Sequence, residues 1–541
     1  DQQHPDKRRR AYPFMSPRAF ARQFADVPSW IEHTREIADR CSFAFEFGRL
    51  QFPRFQPPNR ASSRDFLRHL VHHGANRKYG GKEPRVRAQI DTELAIIHDV
   101  GYEDYFLLVW DLLQDCRKAA IRWITRGSAA DSLVCYCLGI SNVCPIRFDL
   151  YFQRFLNRER MKLKKLPDID IDFPHDRKDD VIDLILRKYG PDHAAVVGGF
   201  STYQARSALA DVAKVLGISE HQIRPITKLL PQGRAADIKD MLKNNPTCKN
   251  LLPAEEPYAT AVELAWFLDG FPRYPKMHPC GVVLSREPMA DLVPCFTSNK
   301  GYRTTQFDMD AVEAIGLVKL DILAQGGLSV MRDVERMLTN KGRAIPPSPT
   351  VPVRRAETSP TLQLDYHDSE VWEMIASGGA RAVHHIESPA MVNLCKMCDV
   401  RDIDTLITVV SVIRPGAANE HKKQTFTRRY QGMEPIAYPH PSLEGCLKST
   451  YGLIVYEEQV LQICEAFAGI PPGEGDLLRK ALVRQYPDRI DAFGRIFYRE
   501  ARRQHRDEPI RHPLKTVKTG IEGSKTQCVW KPIDQPNKTC E

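Results

Sequence analysis

The segment Pro167-Asp168-Ile169-Asp170-Ile171-Asp172-Phe173 alternates acids with large apolar residues. Successive side chains of an extended strand point to opposite faces, so Asp168, Asp170 and Asp172 share one face while Ile169, Ile171 and Phe173 enter a core. Carboxylates crowded on one face repel one another, and divalent cations relieve that repulsion. A calcium loop, the nearest rival, sets polar residues and glycine between its acids rather than Ile and Phe. The plainer alternative is a solvated strand face. A second segment, Gly316-Leu317-Val318-Lys319-Leu320-Asp321-Ile322, alternates in the same way and puts Lys319 and Asp321 on one face. Alone, such an acid and base read as a salt bridge; their interest lies in pairing with the first strand.

A third segment, Thr125-Arg126-Gly127-Ser128-Ala129-Ala130-Asp131-Ser132, is a small-residue turn between a strand and a helix. Backbone N–H groups at a helix start can cradle phosphate oxygens, with Ser128 donating and Arg126 adding charge, although an ordinary helix cap has the same composition. Arg154, Arg158 and Arg160 precede the acidic strand and either balance its charge or bind phosphate. Arg479-Lys480 ends a helical turn, and Lys422-Lys423 with Arg428-Arg429 forms a basic cluster of the kind that is usually solvated. Cys395 and Cys398 have the spacing of half a zinc site, but no second pair lies at a suitable distance, which favours two core-facing thiols on a helix.

The elements that must position these residues read as a mixture. Ser63 to Gly74 is a capped helix, Val86, Ile90, Leu94 and Ile97 mark the stripe of another, and Tyr105 to Leu113 is a buried helix. Strands are expected at Ile121 to Ile124, Asp168 to Phe173, Val196-Val197, Gly281 to Leu284 and Gly316 to Ile322, with a new helix from about Ala130. Ser201 with Gln204 has capping-box spacing and opens a helix that Gly217 closes, so sheet segments flank a helical insertion. After Leu328 the pattern is helical to about residue 505, with turns at Arg414-Pro415-Gly416 and Pro471-Pro472-Gly473. The 541 residues imply several domains, at roughly 150 residues each. A formal charge of +9 is compatible with a polyanionic partner. No apolar stretch is long enough to span a bilayer and the cysteines lie in apolar runs, so a cytoplasmic protein with reduced thiols is expected. Residues 1–99 read as an N-terminal linker and helical region, and 511–541 as a disordered tail rich in Lys, Thr and Pro.

Taken in chain order, these segments resemble the alpha subunit of bacterial DNA polymerase III, the C-family DNA polymerases, and especially its error-prone branch. The resemblance is carried by Gly101-Tyr102 through Tyr105-Phe106-Leu107, Arg126-Gly127-Ser128, Arg154-Phe155-Leu156-Asn157 and the triple-aspartate segment. It continues through His278-Pro279-Cys280-Gly281-Val282-Val283, Val318-Lys319-Leu320-Asp321, Ile413-Arg414-Pro415-Gly416 and Tyr451-Gly452-Leu453-Ile454-Val455-Tyr456-Glu457-Glu458-Gln459. It implies an α+β fold: a polymerase beta-like nucleotidyltransferase palm at 100–200 and 279–325, a helical thumb insertion at 201–278, and mostly helical fingers at 326–510.

The activity so implied is template-directed DNA synthesis, transferring nucleotides from dNTPs to a primer 3′-hydroxyl. Two Mg2+ ions would be held by Asp170, Asp172 and Asp321, the catalytic and metal-binding acids, with Asp168 in support. Arg126, Gly127, Ser128, Arg154, Arg160, Lys319, Arg479 and Lys480 would face the triphosphate or nearby phosphates, and the partners would be primer-template DNA and dNTPs. The family's N-terminal phosphatase-like domain has no counterpart in residues 1–60, and with its C-terminal regions missing, binding to the sliding clamp and clamp loader is not supported. Asp131 replaces Gly or another uncharged residue and is expected to weaken triphosphate binding; His384-His385 replaces Phe-Gln. A truncated, non-catalytic nucleic-acid-binding remnant is the alternative from another class, and a two-metal nuclease the alternative chemistry.

Overall fold

Seven alternating segments hydrogen-bond into one mixed sheet. In the computed structural model its strands are β1 (Ile124–Arg126), β2 (Asp170–Pro174), β3 (Ala194–Thr202), β4 (Pro272–Leu284), β5 (Cys295–Thr297), β6 (Arg303–Thr305) and β7 (Val318–Gln325). Their spatial order is β1-β2-β7-β4-β3-β6-β5, with β2/β7 and β3/β6 parallel and the other pairs antiparallel. The structure describes residues 14–45, 47, 53–80, 83–157, 169–244, 246, 248, 255–340, 366–413, 420–484 and 486–505.

The period of two decides which face each residue joins. Ile171, Phe173, Val196, Val282, Leu284, Val318, Leu320 and Ile322 form one face, buried together with Ile169 against helices. Each such side chain stabilises the fold by about 2 kcal/mol. The covering helices are α3 (Ser63–Tyr79), α4 (Pro84–Val100), α5 (Glu103–Lys118), α6 (Leu133–Leu138) and α7 (Lys178–Tyr189). They follow α1 (Pro17–Gln23) and α2 (Pro28–Arg40), which bury nothing. On the opposite face Ala195, Val197, Val283 and Leu317 pack on Met289, Val293, Val312 and Ile315, from in and around α12 (Met289–Leu292) and α13 (Met309–Ala314). The remainder of that second face carries the acids.

Between β3 and β4 the chain forms α8 (Ala205–Val215), α9 (Glu220–Leu229), α10 (Ile238–Asn244) and α11 (Tyr258–Phe267), with a core of their own around Leu209, Ile223, Leu230 and Ala261. After β7 come α14 (Gly326–Asn340), α15 (Ser369–Ser377), α16 (Pro389–Met397), α17 (Ile403–Val412), α18 (Glu420–Tyr430), α19 (Glu444–Leu447), α20 (Glu457–Ala468), α21 (Pro472–Arg484) and α22 (Pro487–Gln504). Two further cores form there, one around Trp372, Leu394 and Phe426, the other around Cys464 and Phe493. The protein is therefore α+β, and among the described residues no helix is long and apolar enough to cross a membrane.

Several expectations shift. The apolar run at Ile121 serves the core: Ile121 and Trp123 are buried before the ladder begins at Ile124. Ser201 does not cap a helix, because β3 runs on to Thr202, paired with Pro272 of β4; the capping box forms three residues later, between Gln204 and Ser207. The helix after the Gly-Ser turn starts at Leu133, following a 3-10 turn over Gly127–Asp131. Arg479 and Lys480 lie within α21 rather than at its end. Cys395 and Cys398 are both buried thiols, as expected. Asp168, Arg158, Arg160, Arg414-Pro415-Gly416 and the 511–541 tail lie outside the described residues.

Candidate active site

Strands β2 and β7 run parallel with Asp170 opposite Asp321 and Ile171 opposite Ile322. Cross-strand partners share a face and neighbouring strands lie about 4.8 Å apart, so carboxylates from two strands far apart in sequence meet at one place. On the other side of β2, Arg126 of β1 pairs with Asp170, and on the other side of β7, Gly281 of β4 pairs with Asp321. One row across the sheet therefore reads Arg126, Asp170, Asp321, Gly281. Asp172 lies two residues along β2 on one side of that row, and Lys319 two residues back along β7 on the other.

The charges are locally paired. Arg126 Nη2 donates to Asp172 Oδ1 at 2.7 Å, and Lys319 Nζ lies 2.7 Å from Asp321 Oδ2. Asp172 is only 5% exposed. Burial pushes its carboxyl above the ordinary range, against the opposing pull of Arg126 and of His385. Gly127, at φ +71°, carries its backbone past the Asp170 carboxylate: a Cβ there would stand 3.4 Å from Oδ2. Among the described residues no three His, Cys, Asp or Glu side chains converge as a preformed metal cage. Asp172 is turned instead toward Arg126, and Asp321 toward Lys319.

The turn that follows β1 separates two readings of its sequence. The N-terminus of α6 is fully used: Ser132 Oγ accepts from Cys135 N–H at 3.1 Å and donates to Glu93 Oε2 at 2.8 Å. The Leu133 and Val134 N–H groups donate to the same carboxylate, each at 3.0 Å. An ordinary cap thus occupies the helix start, and the residues left to meet a phosphate are those of the preceding turn, Gly127 and Ser128.

The remaining candidate phosphate residues form a second cluster. Arg154 donates to Asp131 Oδ2 at 3.3 Å and lies 3.7 Å from Glu457 and 4.0 Å from Glu458. Arg479 donates to Glu457 Oε2 at 2.6 Å and to Asp476 Oδ1 at 2.8 Å, and Lys480 sits 2.5 Å from Asp476 Oδ2. Burial pushes Asp131 up to about 7, with Arg154 opposing. Asp131 therefore faces Arg154 inward rather than standing exposed in the turn. Arg160 lies outside the described residues.

Three residues of the site carry no role in the sequence reading. His278 Nδ1 accepts from the Cys280 and Gly281 N–H groups at 3.3 and 3.1 Å; burial lowers its pKa while Asp321 raises it. Its place in His278-Pro279-Cys280-Gly281 was visible, but only the β4/β7 register puts it near Asp321. Glu457 stood in the Tyr451–Gln459 segment without a role of its own, and Glu93 gave no signal, because nothing in a helical pattern says which distant turn a carboxylate will reach.

Comparison with known families bears on this geometry. Residues 65–324, which include the sheet, match the bacterial DNA polymerase III alpha NTPase domain, and residues 328–505 match the finger domain of the same subunit. The chain is 34% identical to the error-prone DNA polymerase of Symbiobacterium thermophilum over 93% of its own length and 44% of that protein's. It is 34% identical to the error-prone DNA polymerase of Methylococcus capsulatus, covering 84% of this chain and 42% of the relative. With the DNA polymerase III subunit alpha of Bacillus subtilis it shares 32% identity over 86% of this chain and 40% of the relative. It thus spans less than half the length of these relatives. Because both models belong to one subunit and follow one another along most of the chain, the protein belongs to the bacterial DNA polymerase III alpha family.

Proposed function

We propose that the chain catalyses template-directed transfer of nucleotides from dNTPs to a primer 3′-hydroxyl, with Asp170, Asp172 and Asp321 as the catalytic acids. The observation that carries this reading is the parallel register of Asp170 with Asp321, with Asp172 on the same face. Asp172 supports it too: a carboxylate kept at 5% exposure with a raised pKa is under-compensated by Arg126 and gains from a cation. These residues fit two Mg2+ ions, which when bound would acidify the primer hydroxyl and neutralise the departing pyrophosphate. The protein's own part is to fix the acids on two rigid strands and to release them from Arg126 and Lys319, which then face the substrate's phosphates.

Arg154, Arg479 and Lys480, with Gly127 and Ser128 of the turn, are assigned to the triphosphate and nearby phosphates, and Arg160 is carried in that group from the sequence. The sheet of residues 100–200 and 279–325 acts as palm, the inserted helices of 201–278 as thumb, and 326–510 as fingers; the separate cores of the insertion and of the C-terminal helices support this division. Primer-template DNA would be held by phosphate contacts without base readout, as copying requires.

A second reading, nucleic-acid binding without catalysis, is favoured by the pairing of Asp172 and Asp321 with fixed cations and by the lack of a preformed cage among the described residues. Primer extension separates the two. Magnesium-dependent incorporation that disappears in Asp170→Asn supports the polymerase; DNA binding without any incorporation supports the second reading.

A further inference from the structure

Arg154 and Arg479 hold buried carboxylates behind them and share an exposed one in front. Asp131 and Asp476, their rear partners, have side chains 8% and 1% exposed, whereas that of Glu457 is 51% exposed. A single oxygen, Glu457 Oε2, lies 2.6 Å from Arg479 Nη1 and 3.7 Å from Arg154 Nη2. The two guanidinium groups come from different parts of the fold, Arg154 from the 3-10 turn Phe152–Arg154 that precedes the acidic strand and Arg479 from α21. Glu457 opens α20 and closes the gap between them.

We propose that Glu457 is a placeholder anion: its carboxylate occupies the position of a phosphate group of the incoming triphosphate and is displaced when that substrate binds. This rests on the assignment of Arg154 and Arg479 to phosphate. The two rear acids are fixed by burial and keep the guanidinium groups aimed while the front position changes hands. An exposed pair is weak, so Glu457 leaves at little cost, and a phosphate offers more charge and more acceptor oxygens to the same donors. The local charge favours that exchange. Arg154, Arg479 and Lys480 face four carboxylates, Asp131, Asp476, Glu457 and Glu458, so acids outnumber cations by one, and the withdrawal of one acid removes the excess negative charge that would repel a phosphate. Glu457 is the most exposed of the four and needs only a side-chain rotation to do so.

Removing the competitor should then tighten binding. The test is equilibrium binding of dATP and of inorganic triphosphate, each with Mg2+, to the 541-residue chain and its variants. Glu457→Gln and Glu457→Ala are expected to bind both ligands about fivefold tighter, the scale of one exposed ion pair, with deoxyadenosine binding unchanged. Arg479→Ala is expected to weaken both ligands, and adding it to Glu457→Gln should erase most of the gain. If Arg479→Ala weakens binding while both Glu457 variants bind no tighter than wild type, Glu457 is an orienting partner or a ligand of the substrate's cation, and the placeholder is overturned. If neither Arg154→Ala nor Arg479→Ala changes triphosphate affinity, the phosphate assignment itself fails. Thermal melting of each variant separates these results from misfolding.

Discussion

Asp172 combines two demands that a single ion pair only partly meets. Its side chain is buried and its pKa is raised, so folding keeps a carboxylate where water cannot solvate it, with Arg126 at 2.7 Å as counter-charge. Asp172→Asn preserves shape and removes the disfavoured charge. The melting temperature should therefore stay the same or rise slightly, while primer extension falls by about three orders of magnitude, roughly 4 kcal/mol of barrier. An active Asp172→Asn protein would remove that residue from the catalytic set. Arg126→Ala, by contrast, leaves the buried carboxylate without its hydrogen-bonded cation and should cost about 1–3 kcal/mol in urea unfolding. Combining it with Asp172→Asn should cost less than the sum of the two, the mark of a coupled pair. The strand alternation was legible at this scale because Ile169, Ile171 and Phe173 are all buried, and a half-buried strand must alternate. The partners of each acid were not, since a pairing between Asp172 and Arg126 follows from register.

At the scale of elements, the turn beside the acids is held by contacts from two helices far from it in sequence. Glu93 of α4 takes the Ser132, Leu133 and Val134 donors at the start of α6 as well as Gln89, and burial pushes it up to about 7 against those hydrogen bonds. With the folded pKa above the unfolded one, the native state binds more protons between about pH 4.5 and 7. Glu93 therefore contributes fully below pH 4.5, and its contribution is lost as pH rises through 7. Glu93→Gln should flatten that slope relative to wild type by about 1–3 kcal/mol across the window, measured by denaturant unfolding at several pH values. An identical pH profile in the variant would show that Glu93 does not titrate there. Gly74 supports the same helix from α3: a Cβ would stand 2.0 Å from the Cys137 carbonyl oxygen, a contact that backbone cannot yield. Gly74→Ala should therefore destabilise by about 1–3 kcal/mol, seen as a lower melting temperature. Long helices were legible from their stripes. The three-residue strands β5 and β6 were not, because so short a run carries no period, and Ser201 misled because capping-box spacing also occurs inside a strand that finds a ladder partner.

For the whole molecule, the class of fold was readable and the spatial order of its parts was not. Alternation assigns faces but not neighbours, and β2 finds β7 across an intervening sheet segment and helical insertion that no local pattern could place. What the assembled chain does with DNA is testable through its charge. The formal charge is +9, and a duplex gripped through lysine and arginine side chains displaces its condensed counterions. A chain gripping about five to eight phosphates should lose affinity with a slope near −4 to −7 in a plot of log K against log salt. Because phosphate contacts ignore base identity, the slope should be the same for unrelated primer-template sequences. Asp172→Asn should keep it, since that side chain is assigned to the reacting groups and not to the duplex backbone. A flat salt response would mean that the chain does not hold DNA through phosphates, and the proposed phosphate grip on primer-template DNA would have to be abandoned even if the three acids proved to bind metal.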